Sequence, residues 1–187
     1  MRETLNKQGQ LAIVVVGFFA TIQILSELGG AASLNRVVLT LFVALACAVR
    51  YWWVILLLPW PFHWFRLTLI LAAWTLLPFI AAAAPDARHW VLALAALSAI
   101  GCITELFGWG TEQWKVGLGE MALSLKREHV SGAAAAGVAA IALLIAARVW
   151  TSPALEWLVL AMVVADWIRL VLMIQRYDRM SMTSTSS

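Results

Sequence analysis

Arg50, Glu105, Asp166 and Arg169 each stand inside an otherwise apolar stretch, while nearly every other charge lies in the gaps between such stretches. One charge in hydrocarbon costs about 2.5–3.5 kcal/mol on insertion scales, so a charge kept there needs a partner, a water-filled cavity or a task. The chemistry open to this set is the handling of a proton or a cation. Desolvation favours the neutral form of a buried carboxylate and neighbouring cations favour the ionised form, which lets such a group change protonation during a cycle. Asp166 is the candidate carboxylate, Arg50 and Arg169 would tune its charge, and Glu105 would serve as relay or gate. Asp166 and Arg169 are three residues apart on one helix face and are able to pair. Arg50 is expected to meet Glu105 or Asp166 across the bundle. Snorkelling is the competing expectation, with Arg50 reaching an interface beside Tyr51-Trp52-Trp53 and Arg169 reaching towards Gln175 and Arg176.

The elements that must hold these residues are membrane-spanning helices. Of 187 residues, 63% are hydrophobic, and the mean hydropathy is +0.89, well above the usage of a water-soluble domain. A hydrocarbon core about 30 Å thick needs roughly 20 apolar residues at 1.5 Å each. Six runs qualify, over 11–28, 37–57, 65–84, 89–107, 133–150 and 155–174. They predict an all-α integral membrane protein, a single six-helix domain over 11–175 with a short segment over 1–10 before it. The Ser/Thr-rich end, within 176–187, predicts a disordered tail. Arg2 and Lys7 before an apolar run resemble a signal peptide, but Gln23 and Glu27 interrupt the run, so an uncleaved first span is expected.

Topology follows from the loop charges. With six spans, Arg2, Lys7, Arg66, Lys115, Lys126, Arg127, Arg176 and Arg179 share one side, and only Arg36, Arg88 and Arg148 face the other. This imbalance places both termini in the cytoplasm of a cell with this chain in its inner membrane. Spans two, four and six then run in the same direction, and the four buried charges fall at one level, roughly 16–24 Å along them.

The longest connection is expected over 108–131. Trp114, Leu118, Met121 and Leu125 recur there at helical spacing among Lys115, Glu120, Lys126 and Arg127, predicting an amphipathic helix along the interface or a docking surface for a partner. Gly132 to Gly137, rich in alanine, predicts close helix packing. Trp60, Trp64, Trp90, Trp109, Trp150 and Trp157 stand at span ends, where anchoring at the headgroup level explains them.

Several functions are excluded. No lysine lies in a span, which removes a Schiff base on a helix. His63 and His89 at span edges and His129 in the fourth loop provide no haem pair, and Cys47 and Cys102 lack metal-site spacing. No cofactor or metal is expected, and nothing suggests nucleic acid. Ser131 precedes an alanine-rich helix, yet no histidine follows in the sixth span to activate it as a nucleophile. What remains is a transporter or channel for an ion or small solute, as a homo-oligomer or beside another membrane subunit. The rival is a non-catalytic membrane subunit or sensor that docks a partner through its fourth loop.

Overall fold

Proline is confined to the ends of the apolar runs except at Pro78, so little interrupts helical hydrogen bonding within them. The computed structural model describes residues 2–27, 34–57, 64–110 and 119–184, with side chains over 11–27, 34–51, 65, 67–107 and 127–175. Among the described residues there are six helices and no strand: α1 (Arg2–Glu27), α2 (Leu34–Leu57), α3 (Trp64–Ala82), α4 (Ala87–Gly110), α5 (Gly119–Val149) and α6 (Ser152–Ser184). Four contain a stretch long and apolar enough to cross a membrane: Leu34–Tyr51, Ala87–Phe107, Arg127–Val149 and Ser152–Gln175. The apolar stretches of α1 and α3, Leu11–Glu27 and Leu67–Ala82, are shorter, roughly 24–26 Å against a core of about 30 Å.

Two expectations need correction. Residues 119–131 are not a separate interfacial helix in a long loop; they are the opening turns of α5, one continuous helix to Val149. Their polar side chains end the hydropathy signal, but Glu, Met, Leu, Lys and Arg are strong helix formers, so the backbone continues. Similarly, the tail is helical to Ser184 rather than disordered, because no proline or glycine follows Asp166 to stop α6. Trp114 and Leu118 lie outside the described residues, as do the side chains of Met121 and Leu125.

Helix α4 packs most extensively on α5, α3 lies between α1 and α4, and α2 packs on α6; α1 with α2, α2 with α3 and α6 with α4 and α5 make smaller contacts. The apolar core gathers towards the end that carries the α3–α4 turn, where Ile24, Leu77, Ile80, Trp90, Val91 and Leu155 are fully buried. Trp90 is thus a core residue and not an interfacial anchor. Its Nε1 donates to Thr40 Oγ1 at 3.0 Å, and the Thr40 hydroxyl in turn donates to the Arg36 carbonyl at 2.8 Å. Trp150 and Trp157 do face outward. Large apolar side chains also cover the outside, including Phe18, Phe79, Val138, Ile145, Ile168 and Leu172, more than a water-facing surface ordinarily carries.

A tight turn joins α3 to α4. The Asp86 side chain caps α4, with its Oδ1 accepting from the N–H groups of Arg88 at 2.8 Å and His89 at 3.1 Å, as an N-cap aspartate should.

Candidate functional site

The charged residues sit at the opposite end from that turn. Counted from Leu34, Ala87 and Ser152, the starts of their helices, Arg50, Glu105, Asp166 and Arg169 lie roughly 21–27 Å along α2, α4 and α6. The first turns of α5, which runs the other way, enter the same level. Six ionisable side chains from four helices meet there.

Arg50 Nη2 donates to Asp166 Oδ1 at 2.6 Å, joining α2 to α6. Asp166 is thus the partner of Arg50, and Glu105 lies within electrostatic reach of the same guanidinium. Arg169 turns away from Asp166 towards α5. Its Nη2 donates to the Glu128 carbonyl at 3.0 Å and to Ser131 Oγ at 3.2 Å, and it stands 3.7 Å from Glu128 Oε2. Glu105 reaches α5 as well, where its Oε2 bonds His129 Nδ1. When Glu105 is ionised it can only accept, and Nδ1 then carries the hydrogen of that bond. The Ser131 hydroxyl donates to the Glu128 carbonyl at 3.0 Å.

Gly132 makes this convergence possible. A Cβ at that position would lie 2.9 Å from Arg169 Nη2 and 3.1 Å from Glu105 Cδ, so a side chain there would displace one or both from where they cross α5. One further turn along, Gly137 lies against Cys102 Sγ, and Gly101 faces Ala136. The small residues of α5 therefore serve its contact with α4 inside this chain.

Sequence reasoning missed Glu128 and His129. Both precede the apolar run, which begins at Ala133. A usable signal was present: Arg127 to Gly132 contains no helix-breaking proline, and a helix continued backwards from Ala133 brings Glu128, His129 and Gly132 near one side. Among the described residues the cluster then comprises two arginines, three carboxylates and one histidine. Histidine is the side chain whose ordinary titration falls nearest neutral pH. Among the described residues, no group of three or more His, Cys, Asp or Glu is placed to hold a metal ion.

Arg36 forms a second polar site at the turn end, also missed because its partners are far away in sequence. Its Nε donates to Glu156 Oε1 at 2.8 Å. Nη1 donates to the carbonyls of Ala84 at 2.7 Å and Pro85 at 3.1 Å, and Nη2 to Ser152 Oγ at 2.5 Å. One guanidinium thereby ties α2, the α3–α4 turn and α6 together. Between the two polar levels, an open apolar groove of about 670 Å³ runs along the α2–α6 seam, lined by residues such as Phe42, Leu45, Leu160 and Trp167. No family model matches this sequence, and neither a curated protein nor a solved structure shows significant similarity to it.

Proposed function

We propose that this chain is an integral membrane protein of six spanning helices that moves a proton, or an ion or small solute coupled to one, through its charged level. Both termini face the cytoplasm, and the chain works as a homo-oligomer or beside another membrane subunit. The observation that carries the reading is the composition of the cluster: Arg50 and Arg169 with Asp166, Glu105, Glu128 and His129, brought together from four helices. A charge cluster in hydrocarbon is cheapest when internally bonded, and a carboxylate bonded to a histidine within it is a pair able to take up and pass on a proton. Asp166, held by Arg50, is the binding carboxylate. Glu105 and His129 form the relay, and Arg169 fixes the start of α5 beside them.

The pairing of Asp166 with Arg50 and of Arg169 with Glu128 favours a second reading, in which the charges only hold the bundle together. The chain would then be a non-catalytic subunit or sensor, docking a partner through Trp114, Leu118, Met121 and Leu125. Proton flux into liposomes containing the purified protein separates the two. Transport requires flux in the parent and its loss in Asp166→Asn, while a structural cluster gives no flux in either.

A further inference from the structure

The groove between α2 and α6 is apolar along its length and polar at one end. Its lining runs from Asn35 to Leu45 on α2 and from Pro153 to Ile168 on α6, roughly 15 and 22 Å. Half of a hydrocarbon core about 30 Å thick has a similar depth. Leu39 and Val163 lie buried at its floor, while Phe42, Leu45, Leu160 and Ile168 stand exposed along it. Asn35 and Glu156 are the polar and charged residues of the lining, and every other member is apolar or aromatic. Both sit near the starts of their helices, at the level of the α3–α4 turn that Arg36 reaches. One polar end and one long apolar trough is the outline of a single amphiphile, head at the turn and tail towards the charged level.

The charges at the polar end select the head. Glu156 Oε1 accepts from Arg36 Nε at 2.8 Å, but among the described residues no bond is made to Oε2, and the side chain is 27% exposed. Trp157, the next residue of the lining, is 70% exposed. A carboxylate oxygen beside an indole suits an ammonium group: the oxygen accepts a charge-assisted N–H bond, and the ring face attracts the cation. An anionic head is less well served. Arg36 is already directed at four acceptors and is only 12% exposed, so it has little to offer a phosphate, while Glu156 repels one.

We infer that this groove is a binding site for a phospholipid with a primary ammonium headgroup, the ammonium on Glu156 and Trp157 and one acyl chain along the trough. The inference rests on the chain lying in a bilayer and not on transport. A lipid satisfies both parts of the site at once. The apolar helix face of a second copy would cover Glu156 without giving its Oε2 a cation.

The test is native mass spectrometry of the full-length protein, delipidated in detergent and offered equal amounts of dioleoyl phosphatidylethanolamine and dioleoyl phosphatidylglycerol. The parent should retain the ethanolamine lipid about tenfold over the glycerol lipid, the ratio expected of one charge-assisted bond. Glu156→Gln should bring that ratio close to one. Trp157→Leu changes an exposed residue and so spares the fold; it should lower the ratio about threefold. Leu160→Trp, which fills the trough, should cut retention of both lipids. Equal retention of the two lipids by the parent overturns the site. So does an unchanged ratio in either head variant, and so does undiminished lipid on Leu160→Trp. A dimer that Leu160→Trp splits would assign the groove to a second copy and overturn it too. Carbonate washing of the membranes tests the bilayer reading separately: a protein washed free of them fails that reading, whereas one that stays and binds both lipids equally sinks only the site.

Discussion

Replacing Gly132 by alanine should damage this protein, although alanine is ordinarily the better helix residue. Within a helix, alanine is favoured over glycine by about 0.8–1 kcal/mol. At Gly101 nothing opposes that gain, because the new methyl would stand 3.8 Å from Ala136 Cβ. At Gly137 it would stand 3.4 Å from Cys102 Sγ, at the limit of ordinary contact, and the gain should roughly cancel. At Gly132 it would come within 2.9 Å of Arg169 Nη2 and 3.1 Å of Glu105 Cδ, so one of them must move. The tip of a flexible arginine gives way at little packing cost, but weakening its charge-assisted bond to the Glu128 carbonyl costs about 1.5–3 kcal/mol. After the helix gain, Gly132→Ala should lose about 0.5–2 kcal/mol, a fall in melting temperature of a few degrees for a chain of this length. Thermal unfolding of the three variants in one detergent gives the ranking: Gly101→Ala most stable, Gly137→Ala near the parent, Gly132→Ala below it. If Gly132→Ala melts with or above Gly101→Ala, Glu105 and Arg169 do not converge on α5 and the cluster is wrongly assembled.

Two other outcomes follow from the bonds at the turn end. Trp90→Phe keeps the buried ring but removes the donor to Thr40 Oγ1, and should cost about 0.5–1.5 kcal/mol; a melting temperature equal to the parent's would deny that bond any weight. Asp86 accepts from the backbone N–H groups of His89 and Arg88, which hold its carboxyl below the ordinary 3.8. A carboxyl depressed on folding adds stability above its unfolded value and loses it as pH falls through the folded one. The parent should therefore lose stability below pH 3.8 relative to Asp86→Asn, which caps the helix without titrating. Parallel pH profiles of the two melting temperatures would refute that role.

Much of the architecture was legible because membrane-length apolar runs have few alternatives to a helix. The shared level of Arg50, Glu105, Asp166 and Arg169 was legible too, since depth along parallel helices follows from residue counts at 1.5 Å each. Which charge meets which was not. Arg169 could be paired from sequence with Asp166 three residues away, but its bonds go to Glu128 and Ser131, a choice made by how α5 and α6 pack. His129 was hidden because hydropathy marks where a helix stops being apolar, while α5 begins at Gly119. Trp90 was misread because a run apolar on all faces does not distinguish its core side from its outer side. Arg36 and Glu156 are separated by 120 residues, and no local pattern links them.

The central claim is that the charged level carries a proton or ion, and flux through it is the most direct measurement. Purified protein in liposomes enclosing a pH-sensitive dye, with a valinomycin-clamped potassium potential as driving force, should acidify or alkalinise the lumen according to the sign of the potential. Asp166→Asn should reduce that flux to the level of empty liposomes. A parent that passes no more protons than empty liposomes, or an Asp166→Asn variant that passes as many as the parent, would contradict the account.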